Sequence, residues 1–479
     1  MSLSPPAPAP NASRLAALFP LAGVLGVAGA LVAWILLHLI WLLTNILFWH
    51  RWSAAYAEAH AAPAASAPWT ILILVGAALL AGAAIRWGHE SLRGHGIPEV
   101  MEAVVLRAGR IPPLVAALKP LLSAVVIGAG GPFGAEGPII QTGGAIGSVV
   151  GQWLPMSDTE RKILIACGAA AGMTGIFGTP LAAVMLPVEL ITFEFSLRAI
   201  APTAVAAAVA AALRVPLLGV QPLFAMTAAP GLGLSAVLWC GGFGLLAGVL
   251  ATAITRALYG LEDLFAHIPG TGMVTRPIIG AVCVGLIALA GPEVLGVGYD
   301  LIRAILNGQV GVVELSRILV FKGAGWLIAL ASGTVGGVLA PLFMVAGAAG
   351  ALLGHVLAPW THMAPGLVGL IFMAAVFGAS GRAVLTATLF ATEVTGNGHA
   401  LLGVLVAVSV ATAVADRLLP YNVMTGKLVR RGLHVSHDYF APAARRGSGG
   451  LTAPPLQEGT GDTQTGGGVD DARTSATAR

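Results

Sequence analysis

The sequence predicts an all-α integral membrane protein, a multi-helix bundle of two inverted-topology repeats with broken and re-entrant helices. Three observations predict it. The chain has 479 residues, 57% hydrophobic and only 10% charged, where a soluble domain carries about 25% charged residues. Long runs hold no Asp, Glu, Lys or Arg: the 36 residues between Arg14 and Arg51, then residues 215–255 and 323–381. A helix needs roughly 20 apolar residues to cross a bilayer, so these runs hold tilted or paired spans. Third, segment 118–151 returns in altered form as segment 321–354.

The elements follow in order. Residues 1–13 are rich in Pro and Ala and are expected to be disordered. The opening MSLSPPAPAP has no early basic residue, and the apolar run 15–49 is too long for the core of a signal peptide. A first helix is expected from Leu15 to Phe48 and a second from Trp69 to Trp87. Arg14 precedes the first, and Arg86, Arg93, Arg107 and Arg110 lie at or after the end of the second. Basic residues mark the cytoplasmic side, which puts the N-terminus inside and His50 and Arg51 outside. Lys427, Arg430 and Arg431 put the C-terminal end inside as well. The transmembrane domain is expected over 14–432, with repeat halves at about 69–215 and 232–432. Residues 441–479 have too little apolar content to fold and are expected as a disordered cytoplasmic tail. The runs are continuous rather than alternating, which excludes a β-barrel. Cys167, Cys240 and Cys283 are scattered in apolar surroundings, as small buried residues are, and form neither a disulfide nor a metal framework. The net charge of +4 does not call for nucleic acid, and no cofactor is expected.

The repeat is ungapped at a shift of 203. It pairs Lys119 with Lys322, Gly130 with Gly333, Gly134 with Gly337, Pro138 with Pro341 and Gly144 with Gly347. A shift of 204 pairs Glu189 with Glu393. Weak internal halves are typical of transporters, whose sites lie where interrupted helices meet near the midplane. Both copies break at a Gly-rich segment followed by proline. Irregular backbone at that depth must be buried in protein or line a cavity.

Three segments share one build: Gly94–Pro98 (GHGIP), Gly134–Pro138 (GAEGP) and Gly337–Pro341 (GVLAP). A helix N-terminus exposes unpaired N–H groups and about half a positive charge. Glycine lets a ligand approach the backbone, and proline in the first turn loses nothing. Converging N-termini of this kind make an anion site from dipoles. No Lys or Arg lies within the breaks, which suits conduction because conduction needs weak binding. Glu136 is the one acid in its break. Its carboxylate is expected to act as a tethered competitor of the anion, the plainer use being a cap on its own helix. Glu189 and Glu393 are expected to cap or pin helices.

These residues resemble the CLC family of chloride channels and chloride/proton exchangers, whose motifs are G-S-G-I-P, G-R/K-E-G-P and G-x-F-x-P. Supporting stretches are GIFGTPLAAVMLPVEL (175–190), AVFGASGRAVLTATLFATEVTGN (375–397) and NVMTGKLVRRG (422–432). The resemblance spans about residues 15–432. It implies a homodimer in the inner membrane, each subunit with its own pore built from two inverted halves. It makes Glu136 the gating glutamate. It places the N–H groups of Val338 and Leu339 at a central anion site and those of Gly134, Ala135 and Gly137 around an outer one. It adds His95, Gly96, Ile97 and Met424 to the anion-binding set. The departures are specific. His95 stands where the family has a serine, and either donates to the anion or turns to the cytoplasmic vestibule with only its backbone contributing. Leu339 replaces a phenylalanine, and Ala135 a basic residue. Met424 falls where a pore tyrosine is expected, and it has no useful donor; Tyr421 lies one turn earlier. Leu190 fills the place where exchangers carry an inner glutamate.

The expected function is therefore transport of chloride or a similar small anion through a pore gated by Glu136. Leu190 favours a channel-like protein with little proton movement driven by a chloride gradient. The alternative is a coupled anion/proton exchanger, with fluoride or nitrate as further options for the anion. A membrane enzyme using Glu136 as general base would need a nucleophile or metal cluster nearby, and His38 and His355 form no ligand-spaced motif.

Overall fold

The computed structural model describes residues 12–88, 90–226, 233–430 and 432. The Pro/Ala-rich start before Ala12 and the tail 441–479 lie outside the described residues. Among these residues the regular structure is helical, apart from one isolated bridge between Gly134 and Gly337. The chain first forms α1 (Ala12–Thr44), α2 (Trp69–Trp87), α3 (Ile97–Leu106), α4 (Pro113–Gly128), α5 (Glu136–Trp153), α6 (Asp158–Phe177), α7 (Pro180–Pro187) and α8 (Leu197–Leu218). It continues with α9 (Leu234–His267), α10 (Thr275–Ala290), α11 (Tyr299–Leu306), α12 (Val312–Arg317) and α13 (Gly323–Ala331). Last come α14 (Leu339–Thr361), α15 (Pro365–Gly381), α16 (Val384–Thr395), α17 (Leu401–Leu418) and α18 (Gly426–Arg430). Among the described residues, six helices are long and apolar enough to cross a membrane, the first being Ala16–Trp49 and the second Trp69–Trp87. α4, α10, α15 and α16 are apolar but shorter, as the pieces of broken spans are.

Lipid tails are as apolar as leucine, so helices associate here through close packing of small residues. On α5, Gly143, Gly147 and Gly151 form one stripe. A Cβ on these would strike the Gly168 carbonyl, the Leu164 carbonyl and the Arg161 side chain of α6. On α14, Gly350 and Gly354 meet Phe372, Val368 and Pro365 of α15 in the same way. The alanine-rich helices α8 and α17 also pack inside the subunit through small residues. Ala206 lies against Gly26 of α1, and Ala407 and Ala411 lie against Gly244 and Gly248 of α9.

The paired positions of the repeat do paired work. Lys119 is fully buried and donates to the carbonyls of Leu92 and Gly94, both at 2.9 Å. Lys322 is equally buried and donates to Val294 and Gly296, at 3.1 and 2.6 Å. Each ammonium thus replaces its water with two carbonyl dipoles and straps down the segment before a helix start. Glu393 accepts from Leu181 and Ala182 (2.9 and 2.8 Å) at the start of α7, and Glu189 from Leu385 and Thr386 (3.0 and 2.7 Å) at the start of α16. The two acids cap each other's partner helices, the use the sequence favoured for them. Glu189 and Lys322 both sit in five-residue π-helical turns, Val188–Thr192 and Ile318–Lys322.

Candidate anion pathway

The three Gly/Pro breaks meet in backbone contact. Gly134 and Gly337 exchange hydrogen bonds: Gly134 N–H donates to the Gly337 carbonyl at 3.2 Å, and Gly337 N–H to the Gly134 carbonyl at 2.9 Å. A Cβ on Gly96 would run into the Gly137 carbonyl, and one on Gly137 into the His95 carbonyl. No residue but glycine fits such an approach. Gly96 also takes φ +103°, a conformation side chains resist. Its N–H donates to Glu99 Oε2 at 2.7 Å, which fixes the entry into α3. The starts of α3, α5 and α14 therefore face one small region, and their first-turn N–H groups have no intrahelical acceptor.

Glu136 opens α5 and is fully buried. Its carboxylate folds back against Gly134 and Gly337, at the mouth of α14. Oε1 accepts from the Tyr299 hydroxyl at 2.9 Å, and Oε2 has no hydrogen-bond partner. This acid, the first residue of α5, therefore also lies against the N-terminus of α14, where negative charge is favoured.

The other predicted residues separate into two groups. Ile97, Ala135, Val338 and Leu339 are buried at the three helix starts, so Leu339 fills the phenylalanine's place as a packing residue. His95 is buried too, 2% exposed, and its Nδ1 has no partner. One expectation needs correction: the N–H of Gly134 is engaged by the Gly337 carbonyl, so Gly134 serves as a strut between the breaks and its amide does not point free at an anion. Met424 belongs to a separate turn. The Asn422 Oδ1 accepts from the N–H groups of Met424 and Thr425, both at 2.8 Å. This turn ties to α15 through Ser380 and Gly381 and to α9 through Tyr259. Tyr421 packs edge-on to Tyr259 at 5.5 Å and lines a small cleft with Thr252 and Arg382.

A cavity of about 340 Å³ leads to Gly94 and Pro98 of the first break. Arg93, Arg107, Arg276, Lys427 and Arg430 line it, with Glu99, Glu102, Glu262 and Asp263. Three of the five cations are paired with these acids: Arg107 with Glu102, Lys427 with Glu99 and Arg430 with Asp263. Lys427 stands 3.7 Å from Glu99, the residue that caps the first break.

Two residues at the site were missed in the sequence. Tyr299 begins α11, and its ring packs on Phe224 at 5.7 Å. Gly296 and Gly298 before it have positive φ, like Gly94 and Gly96. The pairs differ by 296 − 94 = 202 and 298 − 96 = 202, so GVGY is a fourth break, mirroring GHGI one residue out of step with the 203 shift. Glu58 plays for it the part Glu99 plays for the first. Its carboxylate accepts from Gly298 and Tyr299 N–H (3.2 and 3.3 Å) and from the Tyr56 hydroxyl (3.0 Å). Burial pushes the Glu58 carboxyl above the ordinary carboxylate range, with His60 opposing.

Comparison with known proteins agrees with this geometry. Residues 76–416 match the family model described as voltage gated chloride channel. The chain is 30% identical over 419 residues to the H(+)/Cl(-) exchange transporter ClcA of Cronobacter sakazakii, covering 83% of this chain and 85% of that protein. It is 27% identical over 399 residues to a Ralstonia nicotianae protein named as a ClcB-like chloride channel, covering 81% of this chain and 91% of that one. A crystal structure of a slow cyanobacterial Cl-/H+ antiporter superposes with a TM-score of 0.74 at 26% identity, covering 88% of this chain and 99% of that one. Since the family model spans well over half its length, this chain belongs to the voltage-gated chloride channel family, the CLC family that its three breaks resemble.

Proposed function

We propose that this protein exchanges chloride, or a similar small anion, for protons across the inner membrane, with Glu136 as the gating group. Membership of the family makes it an anion transporter rather than an enzyme, and its long apolar helices place it in the bilayer. The observation that carries the gating role is the Glu136 carboxylate lodged at the start of α14, with one oxygen unpartnered. A negative group in an anion's seat leaves when it is neutralised by a proton, and the anion enters. Anion and proton then compete for one side chain, which is the root of exchange.

The channel-like reading drawn from Leu190 is less well supported. Leu190 is buried against Gly381, but four other carboxylates, Glu99, Glu102, Glu262 and Asp263, line the cavity mouth. The ClcA relative and the cyanobacterial structure are both named as proton-coupled. The buried amides of Ala135, Gly137, Val338 and Leu339, with His95, Gly96 and Ile97, form the anion's surroundings in this reading. The cavity faces the cytoplasm together with both termini, as the arginines after α2 require, and the protein works as a homodimer.

Proteoliposomes with a chloride gradient test it. Wild type is expected to drive protons uphill at a fixed anion-to-proton ratio. Glu136→Ala is expected to keep anion flux and lose both proton movement and pH dependence. Wild-type anion flux with no proton movement would return the channel reading, and an unchanged pH response in the variant would remove Glu136 as the gate.

A further inference from the structure

The loop between α1 and α2 folds back onto the start of α11. It brings together side chains that are 300 − 60 = 240 residues apart. His60 Nε2 lies 3.2 Å from Asp300 Oδ2. One ligand atom from each of Glu58, His60 and Asp300 lies within 4.8 Å of the other two. We infer that these three side chains form a binding site for a divalent transition-metal cation of the zinc type, on the face opposite the arginine-lined cavity. Imidazole nitrogen and carboxylate oxygen are both ligand types that zinc takes, and a set of three protein ligands leaves a fourth position to water. A tetrahedron with bonds of about 2.0 Å has edges of about 3.3 Å, and the His60–Asp300 separation is already that edge.

Burial and charge support the same assignment. The His60 side chain is 8% exposed and its Nδ1 has no partner. Asp300 is 38% exposed on its side chain, and its Oδ1 also lacks a partner. The ring is thus held in the protein while the carboxylate keeps a way in for an ion and its water. Two carboxylates match a divalent charge. The nearby cations direct their hydrogen bonds to carbonyls, Lys322 to those of Val294 and Gly296 and Arg303 to that of Leu223, and Lys322 adds its charge to the field at Glu58 and Asp300.

The site reaches the gate through one residue. Glu58 holds the N–H of Tyr299, and the hydroxyl of Tyr299 holds Glu136. A bound ion draws Glu58 and Asp300 toward His60 and fixes the start of α11, so Tyr299 keeps its grip on Glu136 and transport slows. This last step rests on the gating role proposed above; the binding itself does not.

The test adds zinc chloride to either side of proteoliposomes and, separately, titrates the detergent-solubilised protein by calorimetry. Wild type is expected to bind one zinc ion per chain and to lose flux from one side only, with magnesium inert. His60→Ala and the isosteric Asp300→Asn are expected to weaken binding and inhibition together, by roughly tenfold or more. Glu136→Ala is expected to bind zinc as wild type does and to lose the inhibition. No binding by wild type, or equal binding by both site variants, overturns the site. Binding that the site variants abolish, with wild-type flux unaffected, upholds the site and overturns its link to the gate.

Discussion

Among single residues, Tyr299 and Glu136 make the contact on which the proposed gating turns. A hydrogen bond to a charged group contributes about 1.5–3 kcal/mol, and one pH unit corresponds to about 1.4 kcal/mol. The Tyr299 hydroxyl stabilises the ionised, seated form of Glu136. Tyr299→Phe keeps the ring against Phe224 and removes that bond. Half-maximal flux is therefore expected to move about one unit or more toward higher pH, with more flux at neutral pH. Flux measured across a pH series checks this, and an unshifted profile would separate Tyr299 from the gate. Glu136 could be read from the sequence because one acid interrupts a charge-free run inside a Gly/Pro frame. Tyr299 could not, because its frame GVGY lies outside the ungapped repeat and is out of step by one residue. Glu58 and His60 were harder still: nothing local marks a loop residue whose partners lie 240 positions on.

Among helices, the exchanged caps matter most. Each of Glu189 and Glu393 offers both oxygens to two N–H groups of a helix that belongs to the other part of the chain. A lost cap costs about 0.5–2 kcal/mol, and loss of the negative charge at a positive helix end adds to it. Glu393→Gln keeps one acceptor oxygen and removes the charge. The detergent-solubilised variant is expected to unfold at lower temperature than wild type by about 1–2 kcal/mol of stability, with anion-to-proton coupling unchanged. Altered coupling would make Glu393 part of the proton route. Helix types and most spans were legible from hydropathy and Gly/Pro punctuation, since a bilayer leaves backbone few choices. The cavity of charged side chains was not, because its members come from five places in the chain: the segment 91–107, α9, α10, the end of α13 and α18.

For the whole molecule, the small-residue faces of α8 and α17 pack in part within the subunit. Larger apolar side chains that remain exposed, such as Leu181, Leu197, Leu401 and Leu402, are available to the proposed homodimer. Light scattering of the detergent-solubilised protein is expected to give twice the 48.3 kDa chain mass, and a monomer mass would leave the pore to work alone. The channel-like expectation shows the limit of reading one position: Leu190 reports a missing acid, while the acids that line the mouth emerge only from the folded arrangement.

The bridge between Gly134 and Gly337 bears on how such a molecule moves. Two reciprocal hydrogen bonds join the break of one repeat to that of the other at the centre of the site. Rocking the two halves apart would break both of these bonds in every cycle. In the exchange proposed above the two breaks stay joined, and the part that moves is the Glu136 side chain, a few atoms across.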